Sequence, residues 1–140
     1  GQQLTLEIQV HSLKKPSEFK DIHLTWVEDH DKGMARASDE GKAAVLILYA
    51  DWCGWCKRFI NQTLADPRIK TIKDQFIWIK VNSAEDESLK ALYQQEGYPM
   101  IVLYDRNGNM VDKSEGYKNA DRFLRDLQLL KNENLAHAAE

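Results

Sequence analysis

Cys53 and Cys56 are the two cysteines of this 140-residue chain, and with Gly54 and Trp55 between them all of its thiol chemistry falls in one Cys-x-x-Cys segment. Three chemistries use that spacing. A structural zinc ion takes four Cys or His ligands, and His11, His23, His30 and His137 stand at no finger-like spacing to complete a set, so no metal is expected. A permanent disulfide closing so short a loop would remove little chain entropy and add little stability. The third is reversible thiol–disulfide exchange, in which one thiolate attacks a disulfide sulfur and a second thiol displaces it. Whether the pair can do this depends on where the chain places it.

Just before the pair, Ala43 to Ala50 is a continuous apolar, partly β-branched run that reads as a central strand buried on both faces. Just after it, Cys56, Phe59, Ile60 and Leu64 recur at the spacing of an amphipathic helix. The pair therefore sits at a strand-to-helix turn, with Cys53 at the amino end of the helix. There, free backbone N–H groups and the positive end of the helix dipole favour a thiolate. Cys53 is the candidate nucleophile. Cys56, one turn later on the same side, is the candidate resolving thiol. Lys57 and Arg58 add positive charge, and Asp51 opposes them.

The remaining elements build the frame. Asp66-Pro67 reads as an N-cap with Pro at the first helical position, followed by inward-facing Ile69 and Ile72. Phe76 to Val81 alternates as a strand. Ser83 and Asp86 read as a capping box, Leu89, Leu92 and Tyr93 as the stripe of a helix, and Gly97 as its stop. Met100 to Tyr104 is a strand, Asn107-Gly108 a hairpin turn, and Met110 to Glu115 the returning strand. Asn119 caps a last helix carrying Phe123, Leu124, Leu127 and Leu130. Upstream, Leu4 to Val10 alternates as a strand, and Glu28 to Glu40 suits a helix ending at Gly41, with Gly33 as its weak point. Trp26 and Trp78 read as core aromatics.

The order from Ala43 is βα(α)βαββα, an α/β fold, and the chain is one domain. Residues 1–42 supply an N-terminal strand and helix, 43–131 the core, and 132–140 a polar, frayed tail. With 19 basic against 22 acidic residues the chain lacks the basic excess of a nucleic-acid binder. Its longest apolar run is far short of the roughly 18–20 residues that span a bilayer, so no membrane span is expected. The chain opens with Gly1, as a processed chain would.

Ala50-Asp51-Trp52-Cys53-Gly54-Trp55-Cys56-Lys57 resembles the active-site stretch of thioredoxin-fold oxidoreductases, and Gly97-Tyr98-Pro99 resembles their cis-proline loop. The likeness runs from Val45 to Leu130 and includes Lys80-Val81-Asn82 and Gly116. Tyr49 to Cys53 and Thr63 to Pro67 are most similar to the bacterial envelope branch, which includes the thioredoxin-like domain of thiol:disulfide interchange proteins. The resemblance implies a thioredoxin-like fold, a central mixed β-sheet flanked by helices with an N-terminal extension. It implies a cofactor-free thiol:disulfide oxidoreductase that reduces protein disulfides, is recycled by a separate redox partner, and works in an extracytoplasmic setting such as the periplasm. It places Pro99 in cis beside the disulfide, and the Tyr98 backbone along an extended substrate that Trp52 and Trp55 also contact. A residue without an N–H also offers no donor of its own beside two sulfurs.

Two positions depart from that family. Thioredoxins carry a buried acid six residues before the first cysteine, where this chain has Ile47. The interchange domain has an acid four residues after the second, where this chain has Ile60. Lys80 or water is the expected proton acceptor in their place, with Lys57 and Lys80 as the cations that tune the thiols. The Gly54-Trp55 dipeptide leaves the direction of electron flow open, so a disulfide oxidase or isomerase stands beside the reductase. A third reading from another class is a non-catalytic module that holds a partner on its aromatic surface.

Overall fold

The backbone that carries the two thiols is part of a five-stranded sheet. The computed structural model describes residues 23–139, with side chains through Leu130. The strand expected at Leu4–Val10 lies outside the described residues. The elements are β1 (Trp26–Val27), α1 (His30–Glu40), β2 (Ala43–Tyr49), α2 (Gly54–Arg58), α3 (Pro67–Ile72), β3 (Phe76–Asn82), α4 (Glu87–Tyr93), β4 (Met100–Tyr104), β5 (Met110–Glu115) and α5 (Ala120–Ala139). The sheet order is β1-β3-β2-β4-β5. β1 and β2 run parallel to β3, and β4 runs antiparallel to both β2 and β5. The expected mixed sheet with flanking helices is what forms.

β2 is buried at all seven positions, as its unbroken apolar run requires of a central strand. Its alternate residues feed two cores. Val45 and Ile47 join Phe59, Ile60, Ile69, Trp78 and Phe123 beneath α2 and α5. Leu46 and Leu48 join Ile77, Ile79, Leu89 and Tyr93 beneath α1 and α4. On this second side, the Gly33 that weakens α1 as an isolated helix is buried. A Cβ there would lie 2.6 Å from Ile79, so glycine lets α1 approach the sheet.

Several local expectations shift. The first helix begins at His30, because Asp29 takes the cap and accepts from the Lys32 N–H at 2.8 Å. Trp26, read as core, forms a short edge strand and stays half-buried against Trp78. The Ser83–Asp86 capping box does not form. Residues 83–85 make a 3₁₀ turn, and Asp86 itself is the N-cap of α4, accepting from the Leu89 N–H at 3.0 Å. Leu92 consequently faces solvent at 65% exposure, while Leu89 and Tyr93 are buried. The helix also stops before Gly97, at Gln94, which adopts the left-handed conformation at φ 54°. Asp66 and Asn119 cap α3 and α5 as expected. The Asn107-Gly108 turn is closed by Gly108 N–H to the Asp105 carbonyl at 3.0 Å. Gly108 takes the left-handed position of a type I turn with a bulge. α5 continues to Ala139, through the residues read as a frayed tail; their alanines favour helix.

Candidate active site

Cys53 is the N-cap of α2, and its Sγ accepts a hydrogen bond from the Cys56 N–H at 3.1 Å. An extended backbone at Cys53 turns the chain from strand into helix, and its own N–H donates to the Ala50 carbonyl at 3.1 Å. The donor at Sγ is one of the orphan amides of a helix start, placed where a sulfur anion would form. Both cysteines are free thiols, with Cys53 6% exposed and Cys56 fully buried. Burial, and after it the adjacent Cys53 sulfur, push the Cys56 thiol up. Cys53 thus keeps a small exposure with a donor aimed at its sulfur, and Cys56 is held beneath it in its neutral form.

α2 keeps α geometry for only five residues before a π-helical turn over Phe59–Thr63, marked by Leu64 N–H donating to the Phe59 carbonyl at 3.1 Å. The wider turn puts Phe59, Ile60 and Thr63 all inside. The buried Thr63 hydroxyl donates to the Lys118 carbonyl at 2.6 Å, tying the end of this helix to the loop before α5. The Lys118 ammonium in turn pairs with Asp126 on α5.

The aromatic surface gathers as two pairs. Trp52, 70% exposed, meets the Tyr98 ring edge-on with centroids 5.1 Å apart. Trp55, 55% exposed, packs against Tyr117 at 5.4 Å, with the Arg58 guanidinium 4.9 Å over its ring. Tyr98 also touches the cluster formed by Tyr49, Ala50, Cys53 and Cys56. The Tyr98–Pro99 peptide is cis, and Pro99 is buried. Sequence reasoning missed Tyr117 and read Arg58 only as nearby positive charge; the signal for Tyr117 is its place directly after Gly116, whose φ of 101° turns the chain there.

Beneath the thiols the two departures are plain. Ile47 and Ile60 are fully buried in the apolar core, and Ile47 pairs in register with Lys80. Lys80 is 8% exposed, with its ammonium 5.4 Å from the Trp26 ring centre and 5.6 Å from that of Tyr49. Burial pushes the Lys80 amine below the ordinary lysine range, while the charges of Glu28 and Asp51 work the other way. Tyr49, which touches the thiol cluster, has its hydroxyl pushed up to about 12 by burial first and then by neighbouring acids. Asp51 accepts from the Asn82 amide at 3.2 Å. Lys57 lies in the last turn of α2, half-buried, and its N–H donates to the Cys53 carbonyl at 3.2 Å. Among the described residues no group of three or more His, Cys, Asp or Glu could hold a metal ion. No described helix is long and apolar enough to cross a membrane.

A family model described as thioredoxin-like matches residues 25–106, more than half of the chain. The chain belongs to the thioredoxin-like family. It is 36% identical over 100 residues to the thiol:disulfide interchange protein DsbD of Tatumella citrea, covering 67% of this chain and 17% of that protein. It is 33% identical over 122 residues to the DsbD of Vibrio vulnificus, strain CMCP6, covering 83% and 21%. This thioredoxin-like chain therefore spans about a fifth of the length of those curated relatives. Among solved structures, a thioredoxin from Thermus thermophilus superposes with a TM-score of 0.72 at 20% identity, covering 84% of this chain and 94% of that one. The oxidised C-terminal domain of Neisseria meningitidis DsbD superposes with a TM-score of 0.60 at 25% identity, covering 75% of this chain and 98% of that domain.

Proposed function

We infer that this chain is a thiol:disulfide oxidoreductase that reduces protein disulfides through a Cys53–Cys56 dithiol/disulfide cycle. The observation that carries the reading is the Cys56 N–H aimed at Cys53 Sγ at 3.1 Å, with the Cys56 thiol buried directly behind it. The Cys53 thiolate attacks one sulfur of the client disulfide, and the other client sulfur leaves as a thiolate. Cys56, once deprotonated, attacks Cys53 Sγ and releases the second client thiol. The client gains two electrons and two protons, and the chain is left with a Cys53–Cys56 bridge that a separate dithiol partner reduces.

The client lies along Trp52, Trp55, Tyr98 and Pro99 in this reading, which the exposure of both tryptophans beside Cys53 supports. The Cys56 proton passes to the neutral amine of Lys80, a buried lysine on the thiol face, whose nitrogen lies 5.6 Å from the ring centre of Tyr49, itself in contact with the thiols. Lys57 adds positive charge to the site. The likeness of Tyr49–Cys53 and Thr63–Pro67 to the envelope branch supports an extracytoplasmic place in an electron-transfer chain.

Insulin reduction with dithiothreitol as recycling reductant tests the reading. Cys53→Ser abolishes turnover, and Cys56→Ser accumulates a mixed disulfide with the client. A Cys53→Ser variant that still binds clients with unchanged affinity, in a parent that turns nothing over, would instead make the domain a binding module. The equilibrium potential separates the directions of flow: about −270 mV marks a reductant, and about −120 to −180 mV an oxidase or isomerase.

A further inference from the structure

Gln95 lies in the short connection between α4 and Tyr98-Pro99, and its side-chain amide reaches three parts of the chain. Its Oε1 accepts from the Ser83 hydroxyl at 2.6 Å, and Ser83 is fully buried. Its Nε2 donates to the Gly97 carbonyl at 3.0 Å and to the Leu48 carbonyl at 3.4 Å. Leu48 belongs to β2, five residues before Cys53, and pairs with Met100, where the β2–β4 ladder ends. The next residue outward, Pro99, has no N–H to extend that ladder. The Gln95 amide supplies a donor to the Leu48 carbonyl from the loop that follows α4. The far side of the same loop is held by Glu96 N–H to Glu115 at 2.8 Å and by Gly116 N–H to the Pro99 carbonyl at 2.8 Å.

We propose that Gln95, oriented by Ser83, is a positioning residue that sets the separation between the strand delivering Cys53 and the loop presenting Tyr98 and Pro99. This rests on the reductase reading, because that separation matters only where a client disulfide is held between the two. Ser83 and the two carbonyls together fix which way the amide points: the carbonyls only accept, so they take the Nε2 hydrogens, and the Ser83 hydroxyl donates to Oε1. An apolar residue at position 95 would fill the same space and leave the Leu48 and Gly97 carbonyls without this donor. The loop could then settle at a different distance from Cys53 without unfolding.

The experiment compares the parent, Gln95→Leu and Gln95→Glu in insulin reduction and, separately, in alkylation of Cys53 by iodoacetamide, which needs no docking loop. Gln95→Leu is expected to lower kcat/KM about tenfold, mainly through KM, with the alkylation rate within about twofold of the parent. Gln95→Glu places a carboxylate against two carbonyl oxygens at pH 7 and becomes a donor again once protonated. Its kcat/KM relative to the parent therefore rises as the pH falls from 7 to 5. If Gln95→Leu does not fold, the Gln95→Glu ratio decides. The proposal is overturned if folded Gln95→Leu keeps the parent's kcat/KM, if turnover and alkylation fall together, or if the Gln95→Glu ratio is flat with pH. An inactive parent would sink the reductase reading itself, which is a separate result.

Discussion

The two faces of the sheet are equally dry and differently built. Beneath α2 and α5, aromatic rings interlock: Phe59 meets Phe123 at 5.2 Å, Phe76 meets Trp78 at 5.9 Å, and Trp78 meets Phe123 at 6.5 Å. The polar groups on this face include the thiols and Lys80 at its upper end and Thr63 and Lys118 beside α5, with no carboxylate where Ile47 and Ile60 sit. Beneath α1 and α4 the contact is made by Gly33, Ala37 and aliphatic side chains, and a chain of polar groups crosses it. Asp31 contacts His30 Nδ1 at 2.7 Å, His30 Nε2 contacts the Tyr93 hydroxyl at 2.7 Å, and Tyr93 contacts the Tyr104 hydroxyl at 2.6 Å. Burial, then the bond to Tyr104, pushes the Tyr93 hydroxyl well above the ordinary tyrosine range. One face sets titrating groups beside the reacting sulfurs. The other satisfies its polar groups among themselves, which makes it a support.

That contrast predicts different responses to substitution. The largest is expected at Phe123, fully buried at the centre of the aromatic stack. Phe123→Ala should cost about 3–5 kcal/mol in urea unfolding, the usual loss for a deleted core aromatic. A loss below about 1 kcal/mol would mean that α5 is not what closes this face. Tyr93→Phe on the opposite face removes the middle of the polar chain and leaves His30 and Tyr104 without their shared partner. It should cost about 1–3 kcal/mol and leave insulin reduction unchanged. Adding Tyr104→Phe should cost less than it does alone, because the orphaned hydroxyl leaves with it. Additive losses would show that the three groups do not act as one chain.

The smallest stability effect, and the one that sharpens the contrast most, is at Lys80. Its amine is held below the ordinary lysine range in the folded state, so between the folded and unfolded pKa the unfolded chain binds more protons. Stability contributed through this group therefore rises with pH across that window. Lys80→Met should raise Tm relative to the parent most at pH 7, and the difference should shrink as the pH approaches 10.5. The Tyr49 hydroxyl, with its folded value raised to about 12, contributes the opposite slope above pH 10 in both proteins and cancels from the difference. In the same variant, turnover at saturating thiol should fall steeply if Lys80 accepts the Cys56 proton. Unchanged kinetics would remove Lys80 from the proton path and leave water.

Most of the frame was legible because its signals are strong and local. An unbroken apolar run has only one place in a mixed sheet, and Cys-x-x-Cys after such a run has only one position relative to the next helix. The misreadings came where two local signals competed. Ser83 and Asp86 both suit an N-cap, and the sequence does not say that Ser83 is needed by Gln95, twelve residues on. Gly97 looks like a helix stop, yet Gln94 takes the left-handed turn first. Within the site, both thiols were readable from spacing and the tryptophans from the family resemblance, whereas Tyr117 and Gln95 are joined to it only through tertiary contacts. Trp26 gave no strand signal because its edge strand is two residues long and exists only by pairing with β3.

The π-helical turn at Phe59–Thr63 also has a meaning for chain length. Its extra residue is an insertion that the wider turn absorbs, so removing one residue, such as Asn61, would return the segment to plain α geometry with the flanking turns still nearly in phase. Thr63 would stay near the Lys118 carbonyl, and the loop bearing Tyr117 would keep its tie to the helix that begins at Cys53. A change of one residue in the length of this helix is thus absorbed before it reaches the aromatic surface.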